Sequence, residues 1–501
     1  AAKYWPTLKN DEVNVFKTLR RLSRSSLEIQ KLQASYMRPI LGQIYIALPK
    51  TESTWVYTLR LWRELTLLIL NQEHGRGALA LWKSHTLDVR NHFYRKEGYV
   101  LKTPLEIFPE DTWLRKDPKD LTELDLKHLS IYTATRSLPA GDAVRESEAI
   151  AKTIEVLTKP VDPLTEGEIQ TALWAAKVAG QEVQNCVSPA FLESANAHVS
   201  LSNRSCLEST FSEGGKSEFI MNAFHHSFLF EEPEHAQHIV LPTQQAIHFE
   251  IGRPRWTAEI GGVQNVLNDL PFGDYIPNSG WVYPKLNGAQ QERLSTLLFT
   301  WSFMTLVNEG ILLPDGTPSG VPVRSRLATV GEPGGKVRIP TVSECAVTTY
   351  LQPYAHVMRN LLEQDPTLSA GLSAANQAYE FSKRIPKDEV YEAVLGGDLE
   401  DSTNYIEYDM GRMVVKGFWE GFAKPVTPYF KTAHLLILQP MSIEYKGAVY
   451  LTTKGAPMGL PGTKPILHLF SKVTDIIASD RRRSYNKFQL TAHPWACAGD
   501  D

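Results

Sequence analysis

Apolar positions recur at helical spacing through residues 11 to about 185. Val13, Phe16, Leu19, Leu22 and Ile29 fall near one stripe, with Lys17, Arg20, Arg21 and Arg24 between them. Those cations read as a solvated basic face. Trp55, Leu59, Trp62, Leu65 and Leu68 form a second stripe of core character. Thr165-Glu166-Gly167-Glu168 has the spacing of a capping box ahead of an alanine-rich helix. The pattern predicts mostly helix in this part of the chain, and none of it carries chemistry.

From residue 200 the pattern changes. Residues 200–216 are polar, end in Gly214-Gly215-Lys216, and predict a loop. A helix over 294–307 is stopped by Gly310. Residues 321–327 and 336–339 read as strands flanking the glycine-proline turn 331–335, which predicts a β-hairpin. Ser343 is placed to cap a helix running to about Leu362 and ended by Asp365-Pro366; a second helix covers roughly 373–384. An apolar run over 390–397 then delivers Asp398. A loop with three glycines and two prolines in the nine residues 455–463 opens into a helix whose buried face is Ile466, Leu467, Phe470, Val473 and Ile477. Pro461 suits the first turn of that helix. Arg481-Arg482-Arg483 beyond it reads as a solvated C-terminal cap. A last apolar segment, ending Trp495-Ala496-Cys497-Ala498, delivers Gly499-Asp500-Asp501.

The 501 residues suffice for two to four domains of core, or for one large interleaved enzyme. Apolar content of 43% and charged content of 22% are those of a globular chain, and no apolar run approaches the length of a membrane span. The start, Ala1-Ala2-Lys3-Tyr4-Trp5-Pro6, has no apolar signal core. A net charge of −4 weighs against a coat or histone-like binder, while leaving room for a basic channel. Cys186, Cys206, Cys345 and Cys497 form no CxxC pair and suggest a reducing compartment. His225, His226, His235, His238 and His248 show no metal-motif spacing and read as structural histidines. A phosphate-binding P-loop is excluded: only three residues separate Gly331 from Gly335, and Val337 follows the lysine.

The chemistry lies in an ordered set. Arg324 with Arg326, and Lys336 with Arg338, sit two apart, so each pair projects from one strand face. Four cations on neighbouring strands call for an anion among them. Asp398 at a strand end and the paired aspartates at 500 and 501 suit two divalent ions over nucleotide phosphates, because phosphoryl transfer clamps attacking and leaving oxygens with metal. Magnesium needs very few protein carboxylates.

Lys336-Val-Arg338-Ile after Gly334-Gly335, Asp398 with Ser402-Thr403, the Gly455-x-x-Met458-Gly459-x-Pro461-x-Thr463-Lys464 loop and Gly499-Asp500-Asp501 resemble, in that order, motifs F, A, B and C of viral RNA-dependent RNA polymerases. The loop is similar to that of ourmia-like viruses (botourmiaviruses), near the narnaviruses. Ser205-Cys206-Leu207-Glu208 with Gly214-Gly215 resembles the template-guiding stretch of that group. The resemblance covers residues 200–501.

It implies an α+β right-hand polymerase: a helical N-terminal or fingers region (1–199), fingers with the template-guiding stretch and a motif F hairpin (200–388), and a partial palm (389–501), with the thumb absent. By the same resemblance, Asp398 and Asp500 hold two magnesium ions, replaceable by manganese, with Asp501 in support. Lys336 and Arg338 bind the incoming triphosphate, Arg324 and Arg326 line the same channel, and Gly459 and Thr463 face the nascent base pair and ribose. Asn404 stands where the family usually has aspartate, and its amide can still hydrogen-bond a 2′-hydroxyl. The implied activity is RNA-directed RNA synthesis from nucleoside triphosphates on a viral RNA template, in the host cytoplasm. A chain ending at Asp501 is expected to be inactive alone. The alternatives are a reverse transcriptase on the same palm, against which Ala498-Gly499 speaks, and a non-catalytic RNA-binding remnant.

Overall fold

Helices make up most of the described residues in the computed structural model, which describes residues 5–71, 82, 84, 86–87, 116, 118–132, 143–188, 199, 204–226, 274–276, 280–282, 288–332, 336–373, 402–424 and 426–485. Of the stripe expected to be core, Leu65 is buried but Trp55 is exposed, the buried line running through Leu61, Leu65 and Ile69 instead. In chain order the helices are α1 (Trp5–Ser23), α2 (Leu27–Ala47), α3 (Glu52–Asn71), α4 (Glu123–Tyr132), α5 (Ala143–Thr158), α6 (Glu166–Cys186), α7 (Gly215–His226), α8 (Gly288–Asn308), α9 (Cys345–Tyr350), α10 (Gln352–Glu363), α11 (Pro366–Ser373), α12 (Tyr408–Gly421), α13 (Pro428–Thr432) and α14 (Thr463–Tyr485). The strands are β1 (Asp274–Ile276), β2 (Gly280–Val282), β3 (Val323–Leu327), β4 (Val330–Glu332), β5 (Lys336–Arg338), β6 (Thr341–Ser343), β7 (Met441–Tyr445) and β8 (Ala448–Leu451). The chain is mixed α+β, mostly helical with a small sheet, and no helix among the described residues is long and apolar enough to cross a membrane.

Two units are distinguishable. One comprises residues 1–149 and 329–338. Its core is a helical layer in which Met37, Ile40 and Ile44 of α2 meet Leu61 and Leu65 of α3. A buried hydrogen bond from the Gln33 amide to the Thr66 hydroxyl (2.9 Å) satisfies the polar atoms trapped between those helices. The unit also holds the β4–β5 hairpin, paired Val330 to Arg338 and Glu332 to Lys336.

The other comprises residues 150–328 and 339–501. Thr165 and Glu168 close the expected capping box at the head of α6. The inner face of α6 is Ala172, Ala175, Ala176 and Ala179, which lets α12 approach at backbone distance. A Cβ on Gly421 would collide with the Lys177 carbonyl, so this crossing admits no side chain there. Phe299, Tyr350 and Tyr429 pack edge-on and face-on behind it. Lys472 of α14, itself nearly buried, joins buried Asp365 (3.0 Å) and half-exposed Glu182 (2.7 Å). Burial alone pushes the lysine down, but the two carboxylates raise it.

The sheet of this unit has the order β6-β3-β7-β8, with β3 antiparallel to β6 and parallel to β7. This departs from the expected hairpin. Residues 321–327 do not pair with 336–339; the hairpin is the tighter β4–β5, and β3 takes β6 instead. Two local causes favour this. Pro340 has no N–H to continue the β5 ladder, and its carbonyl accepts from Ala328 N–H at 2.9 Å, starting a new pairing. Thr341 and Ser343 are then buried opposite Leu327 and Ser325, with the Ser325 and Ser343 hydroxyls 2.7 Å apart.

Other expectations shift by a few residues. Gly310, in the left-handed region (φ 70°), follows α8 as foreseen. Ser343 ends a strand rather than capping a helix, and the long helix is broken at Leu351 into α9 and α10. The loop expected through Lys216 gives way to helix at Gly215. Pro465, not Pro461, lies in the first turn of α14.

Candidate active site

The glycine loop leaves β8 through Thr452, which is buried and wired on both sides. Met441 N–H donates to the Thr452 hydroxyl (2.8 Å), that hydroxyl lies 2.6 Å from the Tyr408 phenol, and the phenol donates to the Lys454 carbonyl (3.1 Å). Burial pushes the Tyr408 phenol up to about 12, against the Thr452 hydrogen bond and nearby Arg412. Tyr408 therefore stays a neutral donor. Thr453 N–H donates to the Leu157 carbonyl (2.8 Å), anchoring the loop to the end of α5.

Two amides of the loop then bond the turn Ser402–Tyr405 and its exit: Gly455 N–H to Ile406 O and Ala456 N–H to Thr403 O, each at 2.8 Å. Gly455 has φ 102°, a conformation L side chains rarely adopt, and a Cβ there would collide with Leu157. Gly459 faces the Thr341 carbonyl so closely that a Cβ would overlap it. Thr463 is buried, and its hydroxyl donates to the Pro457 carbonyl (2.6 Å), holding the turn that precedes α14. Thr463 thus shapes the loop from inside, while Gly459 is exposed and packs on β6 with one side. The loop's outward part also includes Met458, 44% exposed.

Asn404 is half-buried in the turn against this loop, its carbonyl oxygen 3.4 Å from where a Gly455 Cβ would lie. The buried hydroxyls of Thr403 and Thr341, on the two segments flanking the loop, have no hydrogen-bond partner among the described residues. Three segments far apart in sequence meet here: β6, the 402–406 turn and the glycine loop.

No protein-family model matches this chain, and no curated protein is significantly similar to it.

The four candidate cations have different surroundings. Arg324 and Arg326 lie on the open face of β3, opposite the buried Val323 and Ser325. The Arg324 guanidinium donates to buried Glu344 (Nε to Oε1, 2.5 Å) and lies 3.8 Å from Glu309. Its N–H also donates to Glu344 (3.2 Å). Burial raises the Glu344 carboxyl and Arg324 opposes that rise. Arg324 is committed to the fold, so a phosphate would have to displace a carboxylate. Arg326 reaches the Cys206 carbonyl (3.5 Å). On β5, Lys336 is exposed, and Arg338, half exposed, pairs with Glu332 across the hairpin (2.6 Å). An exposed pair of this kind is weak, which leaves Arg338 available to a stronger anion.

The stretch resembling a template guide packs onto the same corner of the sheet. Leu207 N–H donates to Ser343 O (3.0 Å), and the Glu208 carboxylate takes the Cys345 N–H at the head of α9 (3.0 and 3.1 Å). Cys206 and Cys345 are fully buried there with adjoining thiols, and burial pushes the neighbouring Lys216 amine down.

Glu344, Tyr408 and Thr452 had no signal in the sequence, because each acts through a partner that only the folded chain brings near. Asp398, Asp500 and Asp501 lie outside the described residues, as do His235, His238 and His248. Among the described residues no group of three or more His, Cys, Asp or Glu could hold a metal. The three aspartates are hard oxygen donors, the type that suits magnesium.

Proposed function

We propose that the chain is part of an RNA-directed RNA polymerase of right-hand architecture, resembling those of ourmia-like viruses. The observation that supports it best is the glycine loop bonded to the 402–406 turn, which brings together parts of two segments resembling motifs A and B on the strand β6. Two such segments, about fifty residues apart, have little reason to bond to each other through backbone amides unless the fold uses them jointly.

On this reading Asp398, Asp500 and Asp501 hold magnesium, which supplies Lewis-acid stabilisation of the attacking and leaving oxygens. The other groups position substrate. Arg338 and Lys336 bind the triphosphate, the arginine by forked hydrogen bonds. The backbone of Asn404 lies beside the loop, and on this reading its amide would hydrogen-bond a ribose hydroxyl. Glu344 holds Arg324 and keeps the strand beneath the site in register.

The test is template-dependent incorporation of labelled ribonucleotides with magnesium, using the polypeptide encoded by the complete reading frame that contains this chain. Synthesis that follows the template and is abolished by Asp398→Ala and by Asp500→Ala is the expected result. Incorporation of deoxyribonucleotides in preference would instead favour a reverse transcriptase. No incorporation with either nucleotide class, under conditions where the protein is folded, would remove the proposal.

A further inference from the structure

Helix α2 is apolar on both sides, which a simple surface helix is not. Its inner face, Gln33, Met37, Ile40 and Ile44, is buried against α3. Its outer face presents Leu27, Lys31, Arg38, Leu41 and Tyr45 at spacings of four, seven, three and four, all on one side of the helix. Leu27 is 64% exposed, Tyr45 68% and the adjoining Ile46 85%. On α1, Phe16 (69% exposed) and Arg20 repeat the pairing of an apolar and a cationic side chain one turn apart. Between residues 14 and 48 there are six cations and one carboxylate, in a chain whose net charge is −4.

Single exposed apolar residues are ordinary, but a stripe of them interleaved with cations is not. An RNA partner would account for Lys31 and Arg38 and leave Leu27, Leu41 and Ile46 in water, since aliphatic side chains neither stack on bases nor bind phosphates. A second copy would bring the same cations face to face. An anionic bilayer surface satisfies both kinds of residue: cations reach lipid phosphates and carboxylates, and aliphatic and tyrosyl groups enter the headgroup–acyl boundary. We propose that the outer face of α2, with Phe16 and Arg20 of α1, docks this protein peripherally on a membrane surface rich in anionic lipid. No span is involved.

The test is co-sedimentation of the full chain with phosphatidylcholine vesicles, with and without phosphatidylserine, at physiological ionic strength. Binding is expected only with the anionic lipid, weakening as salt rises. Lys31→Glu with Arg38→Glu should weaken it by about tenfold or more, since each surface cation near such a membrane contributes appreciably. Leu41→Gln with Ile46→Ser should weaken it by a similar factor without changing net charge. All four side chains are exposed, so circular dichroism should be unaltered; if either double variant unfolds, Lys31→Gln and Ile46→Ser singly carry the same expectation. Equal binding to neutral and anionic vesicles would overturn the proposal. So would binding that survives the apolar substitutions, or loss of RNA binding by the charge variants in a protein that ignores vesicles.

Discussion

The glycine loop and the basic hairpin carry the motif-like residues that the structure describes best, and they follow opposite plans. In the loop, backbone amides and the Thr463 hydroxyl are spent inside the protein, and Gly455 and Gly459 stand where no side chain fits. In β4–β5 the ladder is three residues long, Lys336 and Arg338 face solvent, and the described ion-pair partner is Glu332. One segment is conserved in shape by its own packing; the other offers charge on a minimal frame. Substitutions in the loop should therefore be read first in stability, and substitutions in the hairpin first in ligand affinity.

The sharpest way to break that contrast is Gly459→Val. The new side chain meets a backbone carbonyl that cannot rotate away, and overpacking of this kind costs about 1–3 kcal/mol. Denaturant midpoints should fall accordingly, while Lys336→Ala and Arg338→Ala stay within about 0.5 kcal/mol of the parent. Equal effects at both places would dissolve the distinction.

On the hairpin side, the proposed function predicts that Arg338→Ala raises the KM for nucleotide by roughly thirtyfold, as expected for about 2 kcal/mol of charge-assisted hydrogen bonding. RNA affinity should change less. Steady-state kinetics at varied nucleotide concentration check this, and an unaltered KM would take Arg338 out of triphosphate binding.

His434 sharpens the comparison from the unit that carries the loop. It is buried, its Nδ1 has no partner among the described residues, and burial pushes its pKa down to about 3. A histidine depressed in the folded state binds its proton more readily when unfolded. Its contribution to stability is thus present above the ordinary value near 6.5 and is lost as pH falls from there toward 3, at about 1.4 kcal/mol per pH unit. Urea midpoints measured between neutral and mildly acidic pH should fall for the parent and fall less steeply for His434→Gln.

The smallest effect belongs to Asn404. If its amide meets the ribose, Asn404→Ala should narrow the preference for ribo- over deoxyribonucleotides by about tenfold, one hydrogen bond of roughly 1.4 kcal/mol. An unchanged ratio of incorporation efficiencies removes it from sugar selection and leaves it a neighbour of the loop.

Features decided within a few residues were legible in the sequence. The Thr165 capping box and the Gly310 stop fall where their local patterns put them, and the glycine loop opens into helix α14. Long-range pairing was not legible. The alternation in 321–327 identifies a strand but says nothing of its neighbours, which turned out to be β6 and β7. Two cations at the same spacing likewise look alike on β3 and β5, yet among the described residues only Arg324 has a buried carboxylate, Glu344, delivered twenty residues later. Chemistry set by such partners has no local signature. The aspartates at 398, 500 and 501 were legible as a motif, and their placement lies outside the described residues.

The central claim is that Asp398, the glycine loop and Asp500 belong to one metal-dependent nucleotide site. Ferrous iron in place of magnesium, with ascorbate and peroxide, cuts the backbone wherever the chain lies close to the bound ion, and so maps the site without requiring turnover. Applied to the complete polypeptide with nucleotide present, it should yield cuts near residues 398 and 500 and within 455–463. Excess magnesium should suppress them, and Asp398→Ala should remove all three together. Cuts near only one of these segments, or a pattern indifferent to Asp398→Ala, would contradict the account.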